Sequence, residues 1–258
     1  MDGAAPDSAP APHGAFATRI RLGLAVLVFV LWGGLLVLLC IPLLPSRKAR
    51  LRLGSAFAHA LGPALLAILG IRLEVENLER LRDAEPAICL INHGSMLDAL
   101  VSMAIWPRHG CGIGKKEQAR IPVWGLVYGI AGNLFIDRSN RERAIATMNE
   151  AVTIIRRIGI SPWVAPEGTR SLDGELAPFK KGFVHLAVAS RLPCVPIVMH
   201  NVFALWPAKT LRITPGTVRV EILEPIPTDD WSIETLDQHI ADTRAVFVDA
   251  ISRSRSAS

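Results

Sequence analysis

The sequence predicts an α/β fold, a mostly parallel sheet flanked by helices and preceded by an N-terminal membrane-embedded helical segment. Three observations carry that reading. From Arg72 onward, seven short β-prone runs alternate with helix-like segments, the pattern of βαβ crossovers. Before them, Leu22 to Leu44 is 23 residues without a charge, and roughly 20 apolar residues suffice to cross a bilayer as helix. Composition bounds the rest. The 258 residues, 50% hydrophobic and 20% charged, suit one sizeable folded domain and exclude a disordered or collagen-like chain. A mean hydropathy of +0.35 is high for a freely soluble protein, so part of the apolar excess is expected to face lipid.

Taken in order, residues 1–17 are rich in Ala, Pro, Ser and Gly without periodicity and read as a disordered tail. Residues 18–71 read as membrane-anchoring helices. The run Leu22–Leu44 is flanked by Arg19 and Arg21 before it and by Arg47, Lys48, Arg50 and Arg52 after it. If it spans, the excess of charge on its C-terminal side keeps the body of the protein in the cytoplasm. Gly33, Gly34 and Pro42 could instead bend it into a re-entrant hairpin. The second apolar stretch, Ser55–Ile71, contains His59 and Pro63 and is short for a crossing. It suits an amphipathic or re-entrant helix.

Residues 72–252 form the α/β domain. Its strands are expected in RLEVENL, AICLINH, CGIGK, NLFIDR, SPWVAPEG, CVPIVMHN and VRVEILEPI. Helices are expected at Leu97–Trp106, Pro122–Ala131, Arg141–Ile158, Gly182–Ser190 and Ile233–Ser252. Residues 253–258 read as a frayed end.

The formal charge of +5, from 28 basic and 23 acidic residues, points to anionic partners: a membrane surface, phosphorylated substrates or nucleic acid. Nucleic acid is disfavoured, because the basic residues gather in no stripe and 6% aromatics make a poor stacking platform. Cys40, Cys89, Cys111 and Cys194 lie far apart in apolar or Gly-rich stretches, which predicts reduced thiols and neither zinc nor a disulfide framework. The segment Gly110-Cys111-Gly112-Ile113-Gly114-Lys115 lacks the glycine gap and the Ser/Thr of a phosphate loop. No GxSxG elbow, HExxH helix or EF-hand loop occurs.

Four short segments could carry chemistry. In Asn92-His93-Gly94-Ser95-Met96-Leu97-Asp98, His93 follows an apolar strand directly, where α/β folds place ligands. Ser95 and Asp98 have the spacing of a helix cap and its acidic partner. Asp98 either only caps the helix or also reaches one imidazole nitrogen, leaving the other to accept a proton. An imidazole, ordinarily of pKa about 6.5, suits that task. The loop Ala165-Pro166-Glu167-Gly168-Thr169-Arg170-Ser171 follows another strand and offers a guanidinium fork for phosphate or carboxylate. The third segment, Gly132 to Arg138, ends a strand on a cation, and the fourth, Cys194 to Val198, is an apolar run broken by Pro196. Lys115 stands near one of these turns.

In this order, NHGSMLD, GNLFIDR, PEGTRS and VPIV together resemble the HxxxxD glycerolipid acyltransferase family, especially its bacterial 1-acylglycerol-3-phosphate acyltransferases. The likeness runs from about Arg72 to Pro227 and includes GKKEQARIPVWG, GNLFIDRSNRERA and APFKKGFVHLA. It implies that His93 is the general base and Asp98 its orienting carboxylate. Gly132, Phe135, Ile136 and Arg138 match the family's second block, whose arginine binds the acceptor's phosphate. Glu167, Gly168, Thr169 and Arg170 match the third, also assigned to acceptor binding. Pro196 matches the fourth, associated with acyl-donor binding or packing, and Lys115 a basic position near the phosphate. Ala165 replaces a common Phe, a change expected at the pocket wall.

The implied reaction moves a fatty acyl group from acyl-CoA or acyl carrier protein to the sn-2 hydroxyl of lysophosphatidic acid, giving phosphatidic acid in phospholipid biosynthesis. It requires no metal and no cofactor beyond the acyl co-substrate. Another lysolipid acceptor, such as lyso-ornithine lipid, is the alternative. Relatives carry an N-terminal helical pair embedded in one leaflet, which favours the re-entrant form. The expected location is the cytoplasmic membrane, with the active site facing the cytoplasm.

Overall fold

The computed structural model describes residues 12–137 and 139–256. All seven expected strands form: β1 (Ile71–Glu76), β2 (Ile88–Ile91), β3 (Gly110–Lys115), β4 (Leu134–Ile136), β5 (Ser161–Val164), β6 (Cys194–Met199) and β7 (Gly216–Ile222). They make one sheet in the order β1-β7-β6-β2-β5-β3-β4. Only β6 and β7 pair antiparallel, so the sheet is mostly parallel as expected. Strands β2 to β6 all run the same way, and the turns that follow them gather along one edge.

The central strand shows why its sequence is continuously apolar. Cys89 and Ile91 pack into one core layer, and Ile88 and Leu90 into the other. Side chains alternate across a strand, so a strand covered on both faces has no polar position. The first layer is closed by α2 (Arg47–Ile68) and α4 (Leu97–Ala104) through Leu61, Leu65 and Val101. The second is closed by α6 (Arg141–Ile158), α7 (Gly182–Ser190) and α9 (Leu236–Ser256) through Ile154, Phe183 and Phe247. Each such fully buried side chain is worth about 1.5–3 kcal/mol. Two short helices, α3 (Leu78–Ala84) and α8 (Val202–Leu205), were not expected, and α5 (Trp124–Ile130) lies within its expected range.

The N-terminal segment is a helical hairpin. Helix α1 (Pro12–Cys40) turns through a 3₁₀ segment, Ile41–Leu43, into α2. Both are long and apolar enough to cross a membrane by length and composition. They differ in what they touch. Helix α2 packs on the α/β domain along its length: Arg47 donates to the Gly132 carbonyl (2.8 Å), Arg50 to the Ile130 carbonyl (2.6 Å), and Leu61, Leu65 and Leu66 enter the core. Arg47, Arg50 and, through His109, Arg52 therefore grip protein. Pro63 does not end the helix, because packing holds it on either side.

Helix α1 lies outside α2. It is pinned by Phe29 stacking on Trp124 (6.0 Å) and by Trp32 against Phe57 (5.3 Å), and it leaves Leu27, Leu31 and Leu38 more than half exposed. The ends correct two expectations. Residues 12–17, read as tail, are the first turns of α1, and α9 continues to Ser256 through residues read as frayed. Residues 1–11, 257 and 258 lie outside the described residues.

Gly62 sets the depth at which α2 docks. A Cβ there would lie 2.6 Å from the backbone N of Ala104 and 2.9 Å from the carbonyl carbon of Met103, and backbone cannot yield as a side-chain tip can. Gly62→Val is expected to push α2 off α4 and to cost about 1–3 kcal/mol, the range for overpacking. Thermal unfolding in detergent should show a lower Tm; an unchanged Tm would contradict this packing.

Candidate active site

The site is built at the C-terminal edge of β2. Beyond Ile91, the Asn92 side chain continues the ladder with β6, donating to the Met199 carbonyl (3.0 Å) and accepting from its N–H (2.8 Å). That fixes where His93 leaves the sheet. The loop after β5 then takes both backbone groups of His93: its N–H donates to Glu167 Oε1 (2.6 Å), and its carbonyl accepts from the Ser171 N–H (2.8 Å).

His93 Nδ1 lies 2.7 Å from Asp98 Oδ2, and the same oxygen accepts the Ser95 N–H at 2.9 Å. Capping and orienting, the two alternatives for Asp98, are thus performed by one oxygen. The carboxylate is buried, with 1% of its side chain exposed against 21% for His93, and it sits in the first turn of α4, where the helix dipole favours negative charge. A carboxylate can only accept, so Nδ1 carries a proton, and in the neutral ring the lone pair is then on Nε2. Nε2 has no partner among the described residues.

Ser95 is the hub of the turn. Its hydroxyl donates to the Trp206 carbonyl (2.5 Å) and accepts from the Leu97 N–H (3.0 Å), while its carbonyl accepts from Arg170 Nε (2.9 Å). Burial disfavours the Arg170 charge and draws its pKa down, with nearby Asp98 opposing.

A cavity of about 730 Å³ opens beside His93. Its wall is mostly apolar: Phe29 and Trp32 of α1, Ala58 and Leu61 of α2, Met103 of α4, and Trp106, Tyr128 and Trp163. Both ends of β3, Gly110 and Lys115, line it, so it follows that strand for about 16 Å at 3.3 Å per residue. Bare glycines let rings lie flat on β3. A Cβ at Gly110 would meet the Trp106 ring, and one at Gly112 the Tyr128 hydroxyl. Trp106 in turn stacks on Trp163 at 5.0 Å. Its polar lining includes His93, Lys115, Thr169, Arg170 and Lys209. Asp98 is the only carboxylate lining the cavity among the described residues.

The structure brings together His93, Asp98, Lys115, Gly168, Thr169 and Arg170, all of which line the cavity, as does Ala165. Other expected site residues stand apart from it. Gly132, at φ +98°, faces α2, where a Cβ would lie 3.2 Å from Arg47 and Leu51 side-chain carbons; its place is a helix-docking point, and it is not among the residues that line the cavity. Phe135 backs the wall through Tyr128, with ring centroids 5.2 Å apart. Glu167 is buried, and its two oxygens are taken by the N–H groups of His93 and Ala177 (2.9 Å); it straps loops together away from the cavity. Pro196 is buried in β6 opposite Leu90, a packing position. Arg138 lies outside the described residues.

The sequence points to Ser95 only as a helix cap; its ties to Trp206 and Arg170, together with Lys209 and the aromatic wall, are findings of the structure. The wall had a signal: glycines 110, 112 and 114 at alternate positions share one face of a strand. Lys209 had none. All four cysteines are buried and unpaired, and burial pushes the Cys111 thiol up to about 12, which removes it as a nucleophile. Among the described residues no group of three His, Cys, Asp or Glu is placed to hold a metal ion.

Comparison with known proteins adds three findings. The family model "Acyltransferase" matches residues 72–200. The 1-acyl-sn-glycerol-3-phosphate acyltransferase of Limnanthes douglasii is 38% identical over 233 residues, 90% of this chain and 81% of that protein. That of Cocos nucifera is 35% identical over 226 residues, 88% and 71% of the two chains. In fold, the chain is similar to the crystal structure of the 1-acyl-sn-glycerophosphate (LPA) acyltransferase PlsC of Thermotoga maritima. The TM-score is 0.79 at 23% identity, covering 94% of this chain and 96% of that one.

Proposed function

Because the chain belongs to the acyltransferase family, we propose that it acylates the sn-2 hydroxyl of 1-acylglycerol-3-phosphate to give phosphatidic acid. The observation that carries this is the His93–Asp98 pair, with Nε2 left free at the polar end of an elongated apolar cavity. Relatives that match most of the chain are named for that activity.

Nε2 of His93 takes the hydroxyl proton as the alcohol oxygen attacks the thioester carbonyl. The new C–O ester bond forms, the C–S bond breaks, and the thiol leaves. Asp98 holds Nδ1–H, fixes the ring and stabilises the imidazolium that forms. Transfer is direct, within a ternary complex, and no acyl-enzyme is needed. Acyl-CoA or acyl carrier protein supplies the thioester, and the apolar cavity takes a fatty chain. Lys115 and Arg170 receive the acceptor's phosphate, with Arg138 assigned to the same task by its motif. Glu167, Gly132, Phe135 and Pro196 support this arrangement by packing and strapping.

We extend the proposal to attachment. One face of α2 packs on the domain through Leu61, Leu65 and Leu66, while α1 exposes Leu27, Leu31 and Leu38, which supports placing α1 in one leaflet with that apolar face in lipid. The site then sits at the interface where acceptor and product reside, on the cytoplasmic side of the cytoplasmic membrane. The test is a panel of acceptors with mass-tagged acyl-CoA. Phosphatidic acid and acceptor-dependent thiol release are expected with lysophosphatidic acid. Thiol release with lyso-ornithine lipid instead would replace the acceptor, and release with no acceptor would overturn acyl transfer.

A further inference from the structure

The segment between α8 and β7 enters none of the motifs, yet two of its residues, Ala208 and Lys209, line the cavity. Residues 206–210 fold into a compact loop: Trp206 Nε1 donates to the Thr210 carbonyl (2.8 Å), and the Thr210 N–H (3.3 Å) and hydroxyl (2.9 Å) both donate to the Pro207 carbonyl. The Trp206 side chain is buried in the core. Ser95 ties this loop to the catalytic turn twice, through a β-bridge to Pro207 and through its hydroxyl to the Trp206 carbonyl. The same residue holds Asp98 and Arg170.

The loop presents Lys209, which lines the cavity with His93, Met96 and Arg170. Its backbone is left-handed, φ +61°, a conformation uncommon for a residue with a side chain. Among the described residues Lys209 has no hydrogen bond or ion pair. The neighbouring cation Lys116, by contrast, is bound to Asp137 at 2.7 Å. Three cations, Lys115, Arg170 and Lys209, therefore line the cavity, and the one carboxylate that lines it among the described residues is engaged by His93. Positive charge left unneutralised in a cleft attracts an anion.

We infer that Lys209 is a further phosphate-binding residue of the site, carried to the cavity by a loop that Ser95 fastens to the catalytic turn. The inference rests on the acyl-transfer reading for its ligand. The chemistry recognised is a phosphate group, supplied either by the acceptor lipid or by the nucleotide part of an acyl-CoA donor.

The experiment compares wild type, Lys209→Gln and Lys209→Arg. Binding of lysophosphatidic acid and of acyl-CoA is measured calorimetrically, each ligand alone, in a His93→Ala background, so that no transfer takes place; KM and kcat are then measured for each in the active protein. Lys209→Gln is expected to weaken one of the two phosphate-bearing ligands about fivefold, the scale of a partly exposed charge contact, with kcat nearly unchanged. The arginine variant should restore binding, and 1-monoacylglycerol, which has no phosphate, should be unaffected. Whichever ligand moves identifies the source of the phosphate. Unchanged binding of both, or an equal loss with 1-monoacylglycerol, overturns the inference. Because binding is read without turnover, a wild type that fails to transfer acyl groups refutes the functional proposal separately.

Discussion

His93→Ala is expected to lower kcat for acyl transfer to lysophosphatidic acid by about 10²–10⁴-fold, the range for removing a general base. The imidazole is held at three points: Nδ1 by Asp98, the backbone N–H by Glu167 and the carbonyl by the Ser171 N–H. Only Nε2 is free to act, so removing the ring removes the proton acceptor and leaves its surroundings standing. KM for lysophosphatidic acid should stay within a few-fold, because Lys115 and Arg170 are untouched. Sedimentation with phospholipid vesicles should also be unchanged, because the exposed apolar face belongs to α1. An alanine variant that keeps wild-type turnover would remove His93 from the mechanism.

The parts legible in the sequence are those fixed by local chemistry. Helix α6 was bounded correctly because Asn140 caps it, accepting the Arg143 N–H (2.9 Å), and Gly159 ends it in the left-handed region at φ +66°. The strands were legible because apolar runs ended at turn residues. Helix α5 starts two residues later than expected, since Val123 adopts φ +62°, and nothing in Pro122-Val123 announces that. The packing of the hairpin is not legible in the sequence, because the contacts of α2 with α4 join residues far apart in the chain. At the site, the His93–Asp98 pair was legible because its five-residue spacing is local. Glu167 was not: its partner His93 is 74 positions away, and a carboxylate beside Arg170 reads equally well as a surface ion pair or a substrate contact. Lys209 depends on a loop that only tertiary packing brings to the cavity.

Glu167→Gln should produce the second large loss. The carboxylate is 3% exposed and accepts one backbone N–H on each oxygen. Glutamine keeps the volume but sets an NH₂ against one of those N–H groups, two buried donors facing each other. Leaving a buried donor unsatisfied costs about 1–3 kcal/mol. Where that displaces His93, kcat should fall about 10- to 100-fold, since 1.36 kcal/mol is a factor of ten. A strap shifts the base and leaves the phosphate site alone, so KM should hold; a rise in KM with kcat preserved would return Glu167 to acceptor binding. Burial also raises the Glu167 carboxyl from its ordinary 4.5 to about 7, against the pull of its two N–H donors. The folded protein therefore holds this proton more tightly than the unfolded chain does. The stability it contributes is complete below about pH 4.5 and is lost as pH rises through about 7. Thermal unfolding over that interval should show wild type losing Tm relative to Glu167→Gln, which has no proton to release, and parallel curves would contradict this account of the buried carboxyl.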